Sequence, residues 1–228
     1  MNRWLLLAAL LLVSPSWALE SFEATYQLLL DGEKKGDAHF SLQADETGYS
    51  FESFAQPIQS LRQGRHEVLE RSQGHFDGTR PEPDSYYFAI RTDQVSEIVE
   101  IFFDWKQMLM ELRSDQAREK YRLEEGTQDR LSYLLRAMAL ASGHGSEALF
   151  PRVSIEGSDR ISLHKKLRKH LTTPAGRFLV QEITITSASG KSIRHLWLAV
   201  RKGFLPVALE HETDQGVVRM ELTGITPQ

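Results

Sequence analysis

Apolar and polar side chains alternate with a period of two along most of the chain. Phe22, Ala24, Tyr26, Leu28 and Leu30 share one face of a strand over Phe22–Leu30. Asp31-Gly32 is a tight-turn pair, and Phe40, Leu42 and Ala44 alternate on the segment that follows. A polar turn at Asp45-Glu46-Thr47-Gly48 leads into a return strand that carries Tyr49 and Phe51. Residues 85–90, 98–103 and, less cleanly, 108–112 predict further strands. The period then changes. Leu131, Leu134, Leu135, Met138 and Ala141 form a stripe of helical spacing, which predicts a helix over 128–142. Thr127 is the expected N-cap, Asp129 suits the positive end of the dipole, and Gly143 is the expected stop. Strands resume at 178–185, 193–200, 206–210 and 217–222, with turns at Ser189-Gly190-Lys191, Lys202-Gly203 and Asp214-Gln215-Gly216.

Turns at intervals of eight to twelve residues mark an antiparallel meander. The expected fold is mainly β, a single curved antiparallel sheet or open half-barrel with one inserted helix. No repeat, low-complexity tract or linker divides it, so residues 19–228 are expected to form one domain.

The N-terminus changes the picture of where this sheet works. Arg3 precedes the apolar run Trp4–Val13, Ser14-Pro15 breaks it, and Ser16-Trp17-Ala18 offers small residues at the positions a signal peptidase reads. Residues 1–18 are therefore expected to be a Sec-type signal peptide cleaved after Ala18, with the product in a bacterial periplasm. The run is too short for the roughly 20 residues that span hydrocarbon, so no transmembrane anchor is expected after cleavage. The chain has no cysteine. Disulfides, thiolate chemistry and lipoprotein acylation are thereby excluded, and the core alone must hold the fold. A net charge of −4 argues against general nucleic-acid binding, which needs a basic face.

Several short segments keep a recognisable order: Tyr26, Gly32 and Gly36; Phe103-Asp104-Trp105; Gln128-Asp129-Arg130-Leu131-Ser132; Leu171-Thr172-Thr173-Pro174-Ala175-Gly176; Leu196-Trp197-Leu198-Ala199; and Leu205-Pro206-Val207. Together they resemble the DUF3108 family of exported bacterial proteins over nearly the whole mature chain. The resemblance implies a periplasmic, β-rich protein and supplies no catalytic residue. The implied shape is similar, by analogy of fold only, to the lipoprotein carriers LolA and LolB, whose incomplete barrels hold acyl chains.

Candidate chemistry is sparse. Asp104 and Asp129 lack a partner nucleophile or base; turn closure and dipole stabilisation account for them. The eight histidines show no His-Glu-x-x-His or other ligand spacing, so no metal or other cofactor is expected. Ser142-Gly143-His144-Gly145-Ser146 follows a helix, whereas a nucleophile elbow follows a strand. Lys165, Lys166, Arg168 and Lys169 read as the charged end of a hairpin, with contact to an anionic headgroup and the membrane periphery as their candidate role. Phe40, Phe51, Tyr87, Phe102, Trp197 and Leu209 are candidates to line an apolar face that one helix cannot cover. The reading that follows is a non-catalytic envelope protein that binds a lipid or another apolar component. The alternatives are an adaptor that binds envelope proteins and, more weakly, an enzyme acting on envelope polymers.

Overall fold

The computed structural model describes residues 19–57, 67–92, 96–155, 157–187 and 193–226. The signal segment 1–18 and the turn at 189–191 lie outside the described residues. The described residues form fourteen strands, the ten segments of period two and four more. The first half contributes β1 (Phe22–Leu30), β2 (Glu33–Ala44), β3 (Gly48–Pro57), β4 (Glu67–Asp77), β5 (Arg80–Arg91), β6 (Ser96–Asp104), β7 (Leu109–Ser114) and β8 (Arg118–Arg122). Helix α1 (Ser132–Ser142) follows. The second half contributes β9 (Glu147–Ser154), β10 (Gly157–Thr173), β11 (Gly176–Ser187), β12 (Ile193–Ala199), β13 (Leu205–Thr213) and β14 (Gly216–Thr226).

All fourteen belong to one sheet, in the order β8-β7-β6-β5-β4-β3-β2-β1-β14-β13-β12-β11-β10-β9. Each half is a meander of hairpins, and the two halves join where β1 pairs antiparallel with β14. The first and last strands therefore lie at the centre, while β8 and β9 are the two edges. The turn between β1 and β2 has positive φ at both Asp31 (49°) and Gly32 (82°), the backbone that a two-residue hairpin requires. Asp31 also accepts the Val217 N–H at 2.9 Å, tying this turn to the start of β14.

Alternation sets the two faces of the sheet. Ala24 and Tyr26, Phe40 and Leu42, Phe51, Tyr86 and Phe88, Ile101, Leu196, and Leu222 are all buried on the inner one. Burying one large apolar side chain contributes about 1.5–3 kcal/mol, so this continuous lining is the core. The apolar stripe of α1 packs into the same space, with Leu134, Leu135, Met138 and Ala141 buried. Tyr26 closes the lining at the sheet centre by donating to the Pro206 carbonyl at 2.9 Å.

The sheet does not close into a barrel. The segment between β8 and α1 stitches its two edges instead. Gln128 N–H donates to the Pro151 carbonyl (2.9 Å) and the Val153 N–H donates to the Gln128 carbonyl (2.8 Å), a short parallel bridge to β9. The Gln128 side chain reaches the other half, donating to the Pro81 carbonyl of β5 at 2.9 Å.

Beyond the four added strands, two details differ from the sequence expectation. Helix α1 begins at Ser132 rather than Gln128, because Gln128 is committed to the β9 bridge and Asp129, not Thr127, satisfies the first amide groups. The basic run 165–169 is not a hairpin end but lies inside β10, whose turn comes later, at Pro174-Ala175. Between Lys165 (opposite Ile183) and Arg168 (opposite Gln181) the register shifts by an extra residue. That is a bulge, which bends the strand.

Candidate functional site

A cavity of about 250 Å³ lies between the inner face of the sheet and the entry to α1. Its apolar wall comes from four consecutive strands and from the start of the helix. Leu28 of β1, Phe40 of β2, Val218 and Met220 of β14 and Leu209 of β13 face Leu131 and Leu134. These are alternate positions on adjoining strands, so period two alone brings their side chains to one surface.

Polar groups punctuate the wall at two places. At the β3–β5 side, Ser53 and Glu70 meet Arg130 and Tyr133. Glu70 accepts the Tyr86 hydroxyl at 2.5 Å and lies 3.3 Å from Arg130 Nε, and the Arg130 guanidinium stands 5.9 Å from the Phe88 ring centroid. Burial, reinforced by the Glu70 carboxylate, pushes the Tyr86 hydroxyl far above the usual phenol range, so it stays a donor. At the β12–β13 side, Arg194 and His211 are register partners and both line the cavity. Desolvation lowers the imidazole pKa of His211, and the positive charges of Arg194 and Arg152 lower it further.

Beneath the cavity runs a buried polar chain. Asp129 Oδ1 accepts the amides of Leu131 (2.7 Å) and Ser132 (2.8 Å), while Ser132 Oγ accepts the Asp129 N–H at 2.8 Å. This reciprocal arrangement is a cap for the helix. Asp129 Oδ2 accepts Ser72 Oγ at 2.6 Å, and since that hydroxyl proton is used, Tyr49 donates to Ser72 Oγ at 3.2 Å. Asp129 is fully buried, and desolvation raises its carboxyl to about 6.

The residues proposed from the sequence divide between the two faces. Phe40 and Leu209 form part of the cavity wall. Phe51 faces inward as well, but it is core packed edge-on to Phe40, with ring centroids 5.4 Å apart. Tyr87, Phe102 and Trp197 belong to the opposite parity and project from the outer face, because Tyr86, Ile101 and Leu196 take the inward positions. Phe102 lies under the Arg113 guanidinium at 4.4 Å. Trp197 is covered by Lys169 (5.1 Å) and Arg219 (5.0 Å).

The four basic residues of β10 do not form one patch. Lys165 turns back to the end of α1, donating to the carbonyls of Leu140 (3.1 Å) and Gly143 (2.7 Å). Lys169 pairs with Glu182 at 2.6 Å, and Arg168 donates to Gln181 at 3.4 Å. Lys166 is exposed. Asp104, by contrast, closes a turn, accepting the Gln107 N–H at 2.9 Å, and Trp105 donates to the Pro83 carbonyl. The sequence reading missed Glu70, Arg130, Arg194 and His211. For Glu70, Arg194 and His211 the signal was a charged or basic side chain at the inward parity of a strand, whereas Arg130 sits in the turn before α1 and has no parity to read.

A second cavity, of about 500 Å³, lies at the seam between the edges, lined by Met110, Leu112 and Tyr121 on one side and Val153 and Ile155 on the other. Among the described residues no group of three or more His, Asp or Glu side chains could hold a metal ion, and no helix is long and apolar enough to cross a membrane.

One known structure resembles the fold. A β-barrel-like protein of the domain of unknown function DUF1849 from Brucella abortus superposes with a TM-score of 0.62 at 11% identity, covering 91% of this chain and 97% of its own. A protein with a YmcC-like fold from Bacteroides fragilis aligns with a TM-score of 0.32 at 12% identity, covering 91% of this chain and 96% of its own. Among curated proteins none matches the sequence. The family model described as a protein of unknown function, DUF3108, matches residues 21–223, and the chain belongs to that family.

Proposed function

We propose that this protein is a non-catalytic binding protein of the bacterial periplasm that holds a lipid or another apolar envelope component in the cavity between its curved sheet and α1. The observation that carries this reading is the cavity wall. Leu28, Phe40, Leu131, Leu134, Leu209, Val218 and Met220 converge there without filling the space between them. Tightly packed interiors leave few voids larger than a water molecule, and a mostly apolar concavity with a few convergent polar groups is the usual form of a small-ligand site. The signal-like segment at 1–18 supports the location.

Native mass spectrometry of protein purified gently from the periplasm, with organic extraction of whatever is bound, tests the reading. A discrete added mass that extracts as lipid is the expected result. Leu209→Arg, which sets a charge in the wall, should remove it. A clean apo mass at every stage of purification would count against the proposal.

A second reading, an adaptor for envelope proteins, has its own support. Among the described residues strand β8 pairs with β7 alone, and its five residues are all exposed. Such an edge is a template for strand addition by a partner. A crosslinked partner mapped to 118–122, with the cavity empty, would favour this reading over the first.

A further inference from the structure

We infer that the cavity takes an amphiphile with an anionic end, a carboxylate or a phosphate on a single acyl chain, and that Arg194 receives that end. The inference rests on the cavity being the ligand site, as proposed above, and names the class of ligand.

The charges around the cavity cancel in pairs, with one left over. Arg130 faces Glu70 at 3.3 Å. Arg152 holds Asp159 in a bidentate pair, both bonds at 3.1 Å. Arg194 has no carboxylate within ion-pair distance among the described residues, and its flanking register partners are Ile185 on β11 and His211 on β13. A half-buried guanidinium beside a second basic ring, on the wall of an apolar cavity, is incompletely solvated and lacks a counter-ion. An anion there gains a charge-assisted bond in a medium that screens it poorly, and the guanidinium fork fits both carboxylate and phosphate oxygens.

The shape of the apolar wall agrees with the charge. From Arg194 on β12 the wall crosses β13, β14 and β1 to Phe40 on β2. At about 4.8 Å per strand this is a track of about 19 Å. Its volume of about 250 Å³ lies just below the roughly 300–1,000 Å³ of drug-sized ligand pockets, which suits one chain rather than two. Polarity returns at the far end, where Glu70 and Arg130 neutralise each other. Among the described residues, only the Arg194 end carries uncompensated positive charge.

Displacement of the neutral dye Nile red tests this. Oleate, oleoyl lysophosphatidate and oleyl alcohol would be compared as competitors on wild type, Arg194→Met and Arg194→Lys, with folding checked by circular dichroism. On wild type, at least one anionic competitor should act at a concentration at least about tenfold below the alcohol, the effect of one hydrogen bond to a charged group. Which of the two acts better distinguishes carboxylate from phosphate. Arg194→Met should erase the preference and leave the alcohol unchanged, while Arg194→Lys should keep part of it and carries the test should Arg194→Met not fold. Equal displacement by all three on wild type, or a preference that survives Arg194→Met, overturns the inference while leaving the cavity reading intact. Failure of all three to compete on wild type overturns both.

Discussion

Asp129 joins the helix cap to the sheet: one carboxylate serves two amides of α1 and the Ser72 hydroxyl of β4. Burial holds its pKa at about 6, above the ordinary value of 3.8. The folded state thus binds the proton more tightly than the unfolded chain. This group's contribution to stability is fully present below about pH 4 and is lost as pH rises through 6, a swing of about 3 kcal/mol. Asp129→Asn cannot ionise. Its stability relative to wild type should therefore improve between pH 4 and pH 7, as read from denaturant midpoints at both values; a difference that is flat or of opposite sign would contradict the assignment. Trp197 illustrates the other limit at this scale. An aromatic residue in an alternating strand is apolar whichever way it points, and here Lys169 and Arg219 make an outer-face position suitable for it. Trp197→Ala should cost about 3 kcal/mol of stability yet leave ligand occupancy unchanged in native mass spectra.

At the scale of elements, legibility followed period and length. The stripe from Leu131 to Ala141 predicted α1, and the alternation from Phe22 to Leu30 coincides with β1. Strand β8, Arg-Glu-Lys-Tyr-Arg, is exposed along its whole length, so it carries no alternation to read. Strand β4 is interrupted at Gly74, where the register shifts and an added Cβ would come within 2.2 Å of the Glu82 carbonyl oxygen. The 17-residue β10 was masked by its basic bulge. The bulge gives Lys165 a role that composition could not reveal, because it aims the ammonium at the last carbonyls of α1. Lys165→Met should lower stability by about 1 kcal/mol. The same change at exposed Lys166 should stay within about 0.5 kcal/mol. Equal effects in thermal or denaturant unfolding would show that neither lysine supports the helix.

At the scale of the whole molecule, the turns specified the hairpins, but no local signal specified that β1 would pair with β14. Adjacent strands are fixed by turn chemistry a few residues long; closure between the chain's ends depends on surfaces far apart in the sequence. The cavity is a product of that closure. Its wall draws on β1, β2, β12, β13, β14 and α1, so the residues from β12 to β14 meet Leu28 and Phe40 from more than 150 positions away in the sequence. Phe40 and Leu209 were readable as inward apolar residues. Arg130, Arg194 and His211 were not, because a charge on an inward position gains meaning only once the facing residues are known.

Photolabelling with a diazirine-bearing stearate, followed by peptide mass spectrometry, tests the central claim most directly. The account predicts crosslinks on the cavity wall, at Leu131, Leu134, Leu209 and Met220, and their loss in Leu209→Arg. Labels confined to the seam at Tyr121 and Ile155, or to the outer face around Trp197, Tyr87 and Phe102, would contradict it.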